Sequence, residues 1–147
     1  MNKTTPDYRH TQVGYAVIIL VGLALAFAVF LAAGSEFIWI ALAAVVVLVT
    51  CLVLFTSLTV MVYKDRIEVK FGPGLVRRRF PMGDIESCRV VKNPWYYGWG
   101  VRITPYGWLY NVSGLGAVEL TMKNGKRFRI GTDAPNELAD AIQRRLA

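Results

Sequence analysis

The sequence predicts a membrane-anchored α+β protein. A two-helix transmembrane hairpin leads into an antiparallel β-barrel or sandwich of about seven strands, closed by a C-terminal helix. Three observations predict it. No Asp, Glu, Lys, Arg or His lies between His10 and Glu36 or between Glu36 and Lys64, and all but four of the 27 acidic and basic residues fall from Lys64 onward. From Leu58 the continuous apolar sequence gives way to alternation, the signature of half-buried strands. Near Asp133 the period changes again, to that of an amphipathic helix. Of 147 residues 54% are apolar and only 18% charged, against about a quarter charged in soluble domains. A soluble enzyme, a disordered chain and a disulfide-rich secreted scaffold are all disfavoured.

Residues 1–12 read as an N-terminal tail. Residues 13–33 follow, uncharged throughout, and as a helix would extend about 31 Å against a hydrocarbon core of about 30 Å. Residues 37–56 are again long enough to span. A cleaved signal peptide would be shorter and would not be followed at once by a second apolar stretch. Only Gly34, Ser35 and Glu36 separate the two segments, which forces a tight antiparallel hairpin. Pairing in lipid depends on small residues that let helices approach. Gly22 with Ala26, and Ala24 with Ala28 and Ala32, offer such faces on the first helix, Ala41 and Ala44 on the second. Basic flanks orient the hairpin: Lys3 and Arg9 precede it, the turn has none, and Lys64, Arg66 and Lys70 follow. Both termini are thereby expected on the cytoplasmic side of the inner membrane.

Residues 58–147 form the second domain. Arg66-Ile67-Glu68-Val69-Lys70-Phe71 alternates strictly, with a strand over 58–63 before it. Further strands are expected over 75–80, 85–92, 100–104, 108–112, 117–122 and 127–131. Asn124-Gly125 signals a type I′ hairpin turn. The closing helix, 134–146, has Asp133 as its expected cap, Pro135 and Glu137 in its first turn, and Arg144 and Arg145 at its end. Leu138, Ala141, Ile142 and Leu146 make its apolar stripe.

The stretch GWGVRITPYGWLYNVSGLGAVELTMKNGKRFRIGTDAPNELADAI resembles small bacterial membrane proteins that carry a pleckstrin-homology-like (bacterial PH) domain after a hydrophobic hairpin. The most specific parts are Gly107-Trp108-Leu109-Tyr110-Asn111-Val112 and Arg129-Ile130-Gly131-Thr132-Asp133. The resemblance implies a seven-stranded, strongly bent barrel closed by the C-terminal helix. It implies little about activity, because one fold hosts many unrelated tasks.

Catalytic constellations are hard to find. His10 is the single histidine and lies in the tail. Cys51 and Cys88 have no metal-ligand spacing and are expected reduced. Asp84 and Glu86 are a conceivable carboxylate pair, although turn capping explains them more simply. Gly98-Trp99-Gly100 lacks the third glycine and the helix of a dinucleotide site. No cofactor, metal or enzymatic activity is expected.

Two features point to binding. Residues 64–147 hold 15 basic and 8 acidic side chains, with Arg77-Arg78-Arg79 the densest run and Lys70 nearby. Lys70, Arg77 and Arg79 also resemble, at approximate spacing, the basic pattern with which some eukaryotic pleckstrin-homology domains hold inositol phosphates. On a strand Arg77 and Arg79 share a face while Arg78 points the other way. The simplest account of the run is a solvated face; the functional one is attraction to an anionic leaflet. The second feature is Trp95, Tyr96, Tyr97, Trp99, Tyr106, Trp108 and Tyr110, crowded into sixteen residues. Most of these are expected in the core, Trp108 and Tyr110 first, with some of Trp95, Tyr96, Tyr97 and Trp99 at headgroup level or covering a partner groove. Nucleic acid is not an expected partner. The sequence thus reads as a non-enzymatic membrane-anchored binding or scaffolding module for anionic lipid headgroups or a protein partner. The alternative is a small oligomeric transport or channel component built from the hairpin.

Overall fold

The computed structural model describes residues 5–33 and 36–147; Lys3 and the Gly34-Ser35 turn lie outside them. The chain opens with a strand, β1 (Tyr8–Val13), where a tail was expected. It then enters α1 (Tyr15–Ala32) and returns through α2 (Ile38–Phe55). Each helix has 18 residues, with mean hydropathy 2.8 and 3.0, and neither contains a buried residue. The core helix of a soluble domain would be covered. These two helices are long and apolar enough to cross a membrane, and their side chains are left facing outward.

The hairpin uses one of its two small-residue faces. Ala24, Ala28 and Ala32 are half-buried together with Val17 and Val21, at the three- and four-residue spacing of a packed helix face. Gly22 and Ala26 are exposed, and a Cβ at Gly22 would meet nothing within 4 Å. On α2 Ala41 is half-buried and Ala44 exposed.

After α2 the chain forms β2 (Ser57–Val62), β3 (Arg66–Phe71) and β4 (Val76–Pro81), then β5 (Ile85–Lys92), β6 (Gly100–Thr104), β7 (Gly107–Asn111), β8 (Gly116–Met122) and β9 (Arg127–Gly131), and ends in α3 (Pro135–Leu146). Two sheets result among the described residues. The first is an antiparallel meander, β1-β2-β3-β4; the second has the order β5-β8-β9-β7-β6. Among the described residues nine strands stand where seven or eight were expected, and no ladder joins the two sheets into a closed barrel. The second sheet also departs from the all-antiparallel expectation, because β7 and β9 pair in parallel.

The inner faces meet in one core. Leu58, Val60, Val62, Ile67, Val69, Phe71 and Phe80 of the first sheet pack on Tyr110, Val118, Leu120, Phe128 and Ile130 of the second, with Leu138 and Ile142 of α3 closing one side. An ion pair between Asp7 and Arg145 and a hydrogen bond between His10 Nε2 and the Asp133 carboxylate hold the β1 edge to α3 and the loop before it. Asp133 is therefore engaged by His10 and is not the cap. Ala134 takes that position, and Thr132 Oγ1 accepts its N–H at 3.1 Å. At Asn124-Gly125 only the glycine has positive φ, and Gly125 N–H donates to Met122 C=O while Met122 N–H donates to Lys126 C=O. The loop is a type I turn with a glycine bulge, the next commonest hairpin after type I′.

β1 and β2 are partners from Tyr8–Val62 to Val13–Ser57, so the helical hairpin is an insertion between two paired strands. Gly14 turns the chain from β1 into α1. Its N–H donates to Thr56 C=O at 2.6 Å, and a Cβ there would crowd the Phe55 carbonyl at 3.0 Å and Val112 at 3.2 Å. Gly72, at φ +48, lies against the carbonyls of Val53 and Leu54 in the last turn of α2. Phe55 packs edge-on against Phe71, ring centres 5.5 Å apart. Helices and sheets are joined at this base without a linker.

Candidate functional site

The outward face of the first sheet is built in rungs. Thr11, Thr59, Lys70 and Arg77 lie in register, and two residues further from the helices so do Arg9, Met61, Glu68 and Arg79. At a strand rise of about 3.4 Å, the first rung stands about 7 Å along the strands from the Val13–Ser57 base and the second about 14 Å. Glu68 is buried at 4% exposure beneath the stems of the cations around it. Arg66 Nε donates to it at 2.8 Å and Arg79 Nε lies 3.0 Å away; Lys70 Nζ is at 3.6 Å. Burial alone would raise the Glu68 pKa, but the Arg66 hydrogen bond and the charges of Arg79, Arg66 and Lys70 outweigh it and hold the carboxylate below its ordinary range.

One acid therefore neutralises part of a larger basic set. Arg77 donates to the Gly74 carbonyl at 2.8 Å, and among the described residues neither it nor Arg9 has a carboxylate within 4.0 Å. Between them a depression of about 260 Å³ is lined by Arg9, Thr59, Lys70 and the Gly72-Pro73-Gly74 turn. Arg78 points the other way, as the alternation required. Its guanidinium lies 5.9 Å from the Phe80 ring centre and 5.7 Å from that of Phe128. β4 has no ladder partner on its outer edge, and consecutive charges on a free edge also discourage pairing with another chain.

The aromatic residues lie on the other sheet. β5 and β6 are its two opposite edges, so residues 93–99 must cross four strand spacings, about 19 Å at about 4.8 Å each. Asn93 starts the crossing. Its N–H donates to Leu115 C=O at 2.7 Å, and its Oδ1 accepts from Arg129 Nη1 at 2.9 Å. Beneath lies Glu119, 1% exposed, which accepts from Arg129 Nε and from Arg89 Nη2, both at 2.8 Å. Burial pushes the Glu119 pKa up, but the two guanidiniums pull it below the ordinary range. Tyr106 stacks on Arg129, its ring centre 4.3 Å from the guanidinium carbon.

Of the seven aromatic residues only Tyr110 is a core residue, at 8% exposure, whereas Trp108 is 43% exposed. The expectation that most fill the core is thus corrected: Trp108 stands at the exposed start of β7, and Trp95, Tyr96 and Tyr97 lie in the crossing loop. Trp95 and Tyr96 are the most exposed, at 76% and 67%. Tyr97 and Trp99 are half-buried, and Trp99 flanks a crevice of about 470 Å³ shared with Val17, Leu20 and Phe55 at the base of the helices.

The structure therefore does not gather the eight predicted site residues into one cluster. Lys70, Arg77 and Arg79 share one face, Arg78 lies across the strand from them, and Trp95, Tyr96, Tyr97 and Trp99 belong to the crossing loop of the second sheet. Arg102, absent from the sequence-derived set, stands at the crevice beside Trp99. An alternating edge strand gives a lone arginine no distinguishing pattern. Among the described residues no group of three His, Cys, Asp or Glu is placed to hold a metal, and burial raises the pKa of the Cys88 thiol, which weakens it as a nucleophile. Asp84 and Glu86 are both exposed. No protein-family model matches the chain, and no curated protein matches it.

Proposed function

We propose that this chain is a membrane-anchored, pleckstrin-homology-like binding module whose basic sheet face is oriented on the anionic cytoplasmic leaflet, where it recruits a lipid or protein partner. Eight strands and a closing helix follow the helical hairpin, in two sheets, where the family resemblance implies a seven-stranded bent barrel closed by such a helix.

One observation carries the reading: β1 and β2 run directly into α1 and α2. The rung of Lys70 and Arg77 is held about 7 Å from the helix base, inside a Debye length of about 8–10 Å. Each basic residue near such a surface contributes about 1 kcal/mol, and a fixed anchor makes weak contacts effective by keeping local concentration high. Trp95 and Tyr96, exposed near the same end, suit the interfacial zone where aromatic belts form. A transport component, by contrast, draws no support from two helices without one Asp, Glu, Lys, Arg or His.

The test is hydrogen exchange of the full chain in nanodiscs. The β3–β4 turn is expected to exchange more slowly in phosphatidylglycerol discs than in phosphatidylcholine discs, and the difference is expected to vanish at 1 M salt. Equal exchange in both lipids overturns the proposal.

A further inference from the structure

The crevice at the base of the helical hairpin combines two kinds of wall. Val17 and Leu20 of α1 and Phe55 of α2 form one side, and Trp99, Val101 and Arg102 at the start of β6 form the other. Val17 and Leu20 lie within the first two turns of α1, so the helical wall rises only about 9 Å from the domain. In a membrane-spanning hairpin that is the boundary between headgroups and acyl chains. The lining, with Val21 also on the helical side, is apolar apart from the Cys51 thiol and the Arg102 cation.

Arg102 is exposed, and among the described residues no carboxylate lies within 4.0 Å of it; its Nε donates to the Trp99 carbonyl at 3.0 Å. The backbone is shaped around it. Gly98, at φ +68, has the Arg102 guanidinium 3.3–3.6 Å from where a Cβ would stand, so a side chain there would press on the cation. Trp99 packs beside it with its indole N–H buried and, among the described residues, without a hydrogen-bond partner. An apolar slot beside a guanidinium without a carboxylate partner matches an amphiphile with an acidic head. A free anion would leave the apolar wall unused, and a zwitterionic lipid would bring a quaternary ammonium beside its phosphate, which the guanidinium repels.

We propose that this crevice binds one phospholipid with an anionic headgroup, its acyl chain along Val17, Leu20 and Phe55 and its phosphate on Arg102. The site rests on the membrane-spanning reading of α1 and α2. It differs from the basic face of the first sheet in being stoichiometric and in using neither Lys70 nor Arg77.

The experiment is native mass spectrometry of the full chain released from mild detergent, offered phosphatidylglycerol or phosphatidylcholine of identical chains, or inorganic phosphate. One phosphatidylglycerol per chain is expected, retained about fivefold more than phosphatidylcholine, the preference one cation near an anionic group provides. Arg102→Gln is expected to erase the preference while keeping the wild-type melting temperature, Arg77→Gln to leave it intact, and Leu20→Trp to expel both lipids by filling the slot. Equal retention of the two lipids, an unchanged preference in Arg102→Gln, displacement of the lipid by inorganic phosphate, or a second copy of the chain covering the crevice would each overturn the site. If the chain is soluble without detergent and carries no lipid, the membrane reading itself fails. If it requires detergent yet shows no lipid preference, only this inference fails.

Discussion

Glu68 and Glu119 occupy equivalent places on the outer faces of the two sheets, each a buried carboxylate ringed by arginines, yet they do different work. Around Glu68 the cations are open to solvent: Arg79 is 60% exposed and the partners outnumber the acid. Around Glu119 the main partner, Arg129, is 6% exposed and also bonded to Asn93, beneath the loop that crosses the sheet. The same chemistry leaves three solvent-reaching cations around one acid on the first face, whereas on the second Arg129 is enclosed and only Arg89, 63% exposed, reaches solvent. Net charge read along the chain overstates what can reach a membrane, because Arg129 and part of Arg89 are committed internally.

The largest effect that can break this comparison is Glu119→Ala. It strands a buried guanidinium, and removal of one partner of a buried pair costs about 3–5 kcal/mol. Glu68→Ala frees cations that rehydrate in place, which should cost no more than about 1 kcal/mol. Urea unfolding of the full chain in detergent, followed by the signal of the sheet, separates the two; equal losses would mean that the crossing loop does not seal the Glu119 network. Replacing Glu119 and Arg129 together by leucine should recover most of the loss, because a well-packed apolar pair avoids the desolvation penalty.

Acid sharpens the comparison. Both carboxylates are held below the ordinary glutamate range, so each adds stability that is fully present above that range and is lost as pH falls through the folded-state value. Stability should therefore decline below about pH 4.5 and recover on return. Glu119→Gln should flatten that decline more than Glu68→Gln, because its carboxylate is the more enclosed. If Glu68→Gln gives the greater flattening, the contrast in burial does not govern the energetics.

The regular elements were legible because their patterns are local. The strands Arg66–Phe71, Ile85–Lys92 and Gly100–Thr104 have the expected bounds, and the apolar helices differ from expectation only at their ends. β1 was not legible. Its inward residues Tyr8, His10 and Gln12 are polar at their tips, and its partner lies beyond the whole hairpin. The parallel β7–β9 pair was equally hidden, since nothing in Gly107–Asn111 specifies which neighbour completes its hydrogen bonds. The basic run was visible as composition, but which arginines are spent on Glu68 or Glu119 depends on cross-strand register. That part of the site exists only in three dimensions.

The insertion of the helices between paired strands yields a milder test. Val13 and Ser57 end a continuous ladder, so replacing residues 14–56 by Asn-Gly should close β1 and β2 as an ordinary two-residue hairpin. The shortened chain is expected to be soluble without detergent and to unfold cooperatively, with loss of the Phe55–Phe71 contact costing about 1–2 kcal/mol. A shortened chain that collapses without cooperativity would show that the sheets need the helices to fold.

The smallest expected effect compares two rungs of one face. Lys70 and Arg77 stand about 7 Å from the helix base and Arg9 and Arg79 about 14 Å. Over that additional distance a screened potential at 0.15 M salt falls to less than about half, and Arg79 is already partly spent on Glu68. Leu75, 79% exposed beside the β3–β4 turn, can carry a fluorophore as Leu75→Cys once Cys51 and Cys88 are serine. Quenching by headgroup-labelled lipid in phosphatidylglycerol nanodiscs then reports how closely the face lies on the surface. Lys70→Gln with Arg77→Gln should reduce it clearly, and Arg9→Gln with Arg79→Gln by less than half as much. Equal losses would mean that net charge attracts the domain without orienting it, and the absence of loss from either pair would leave the basic face an ordinary solvated surface.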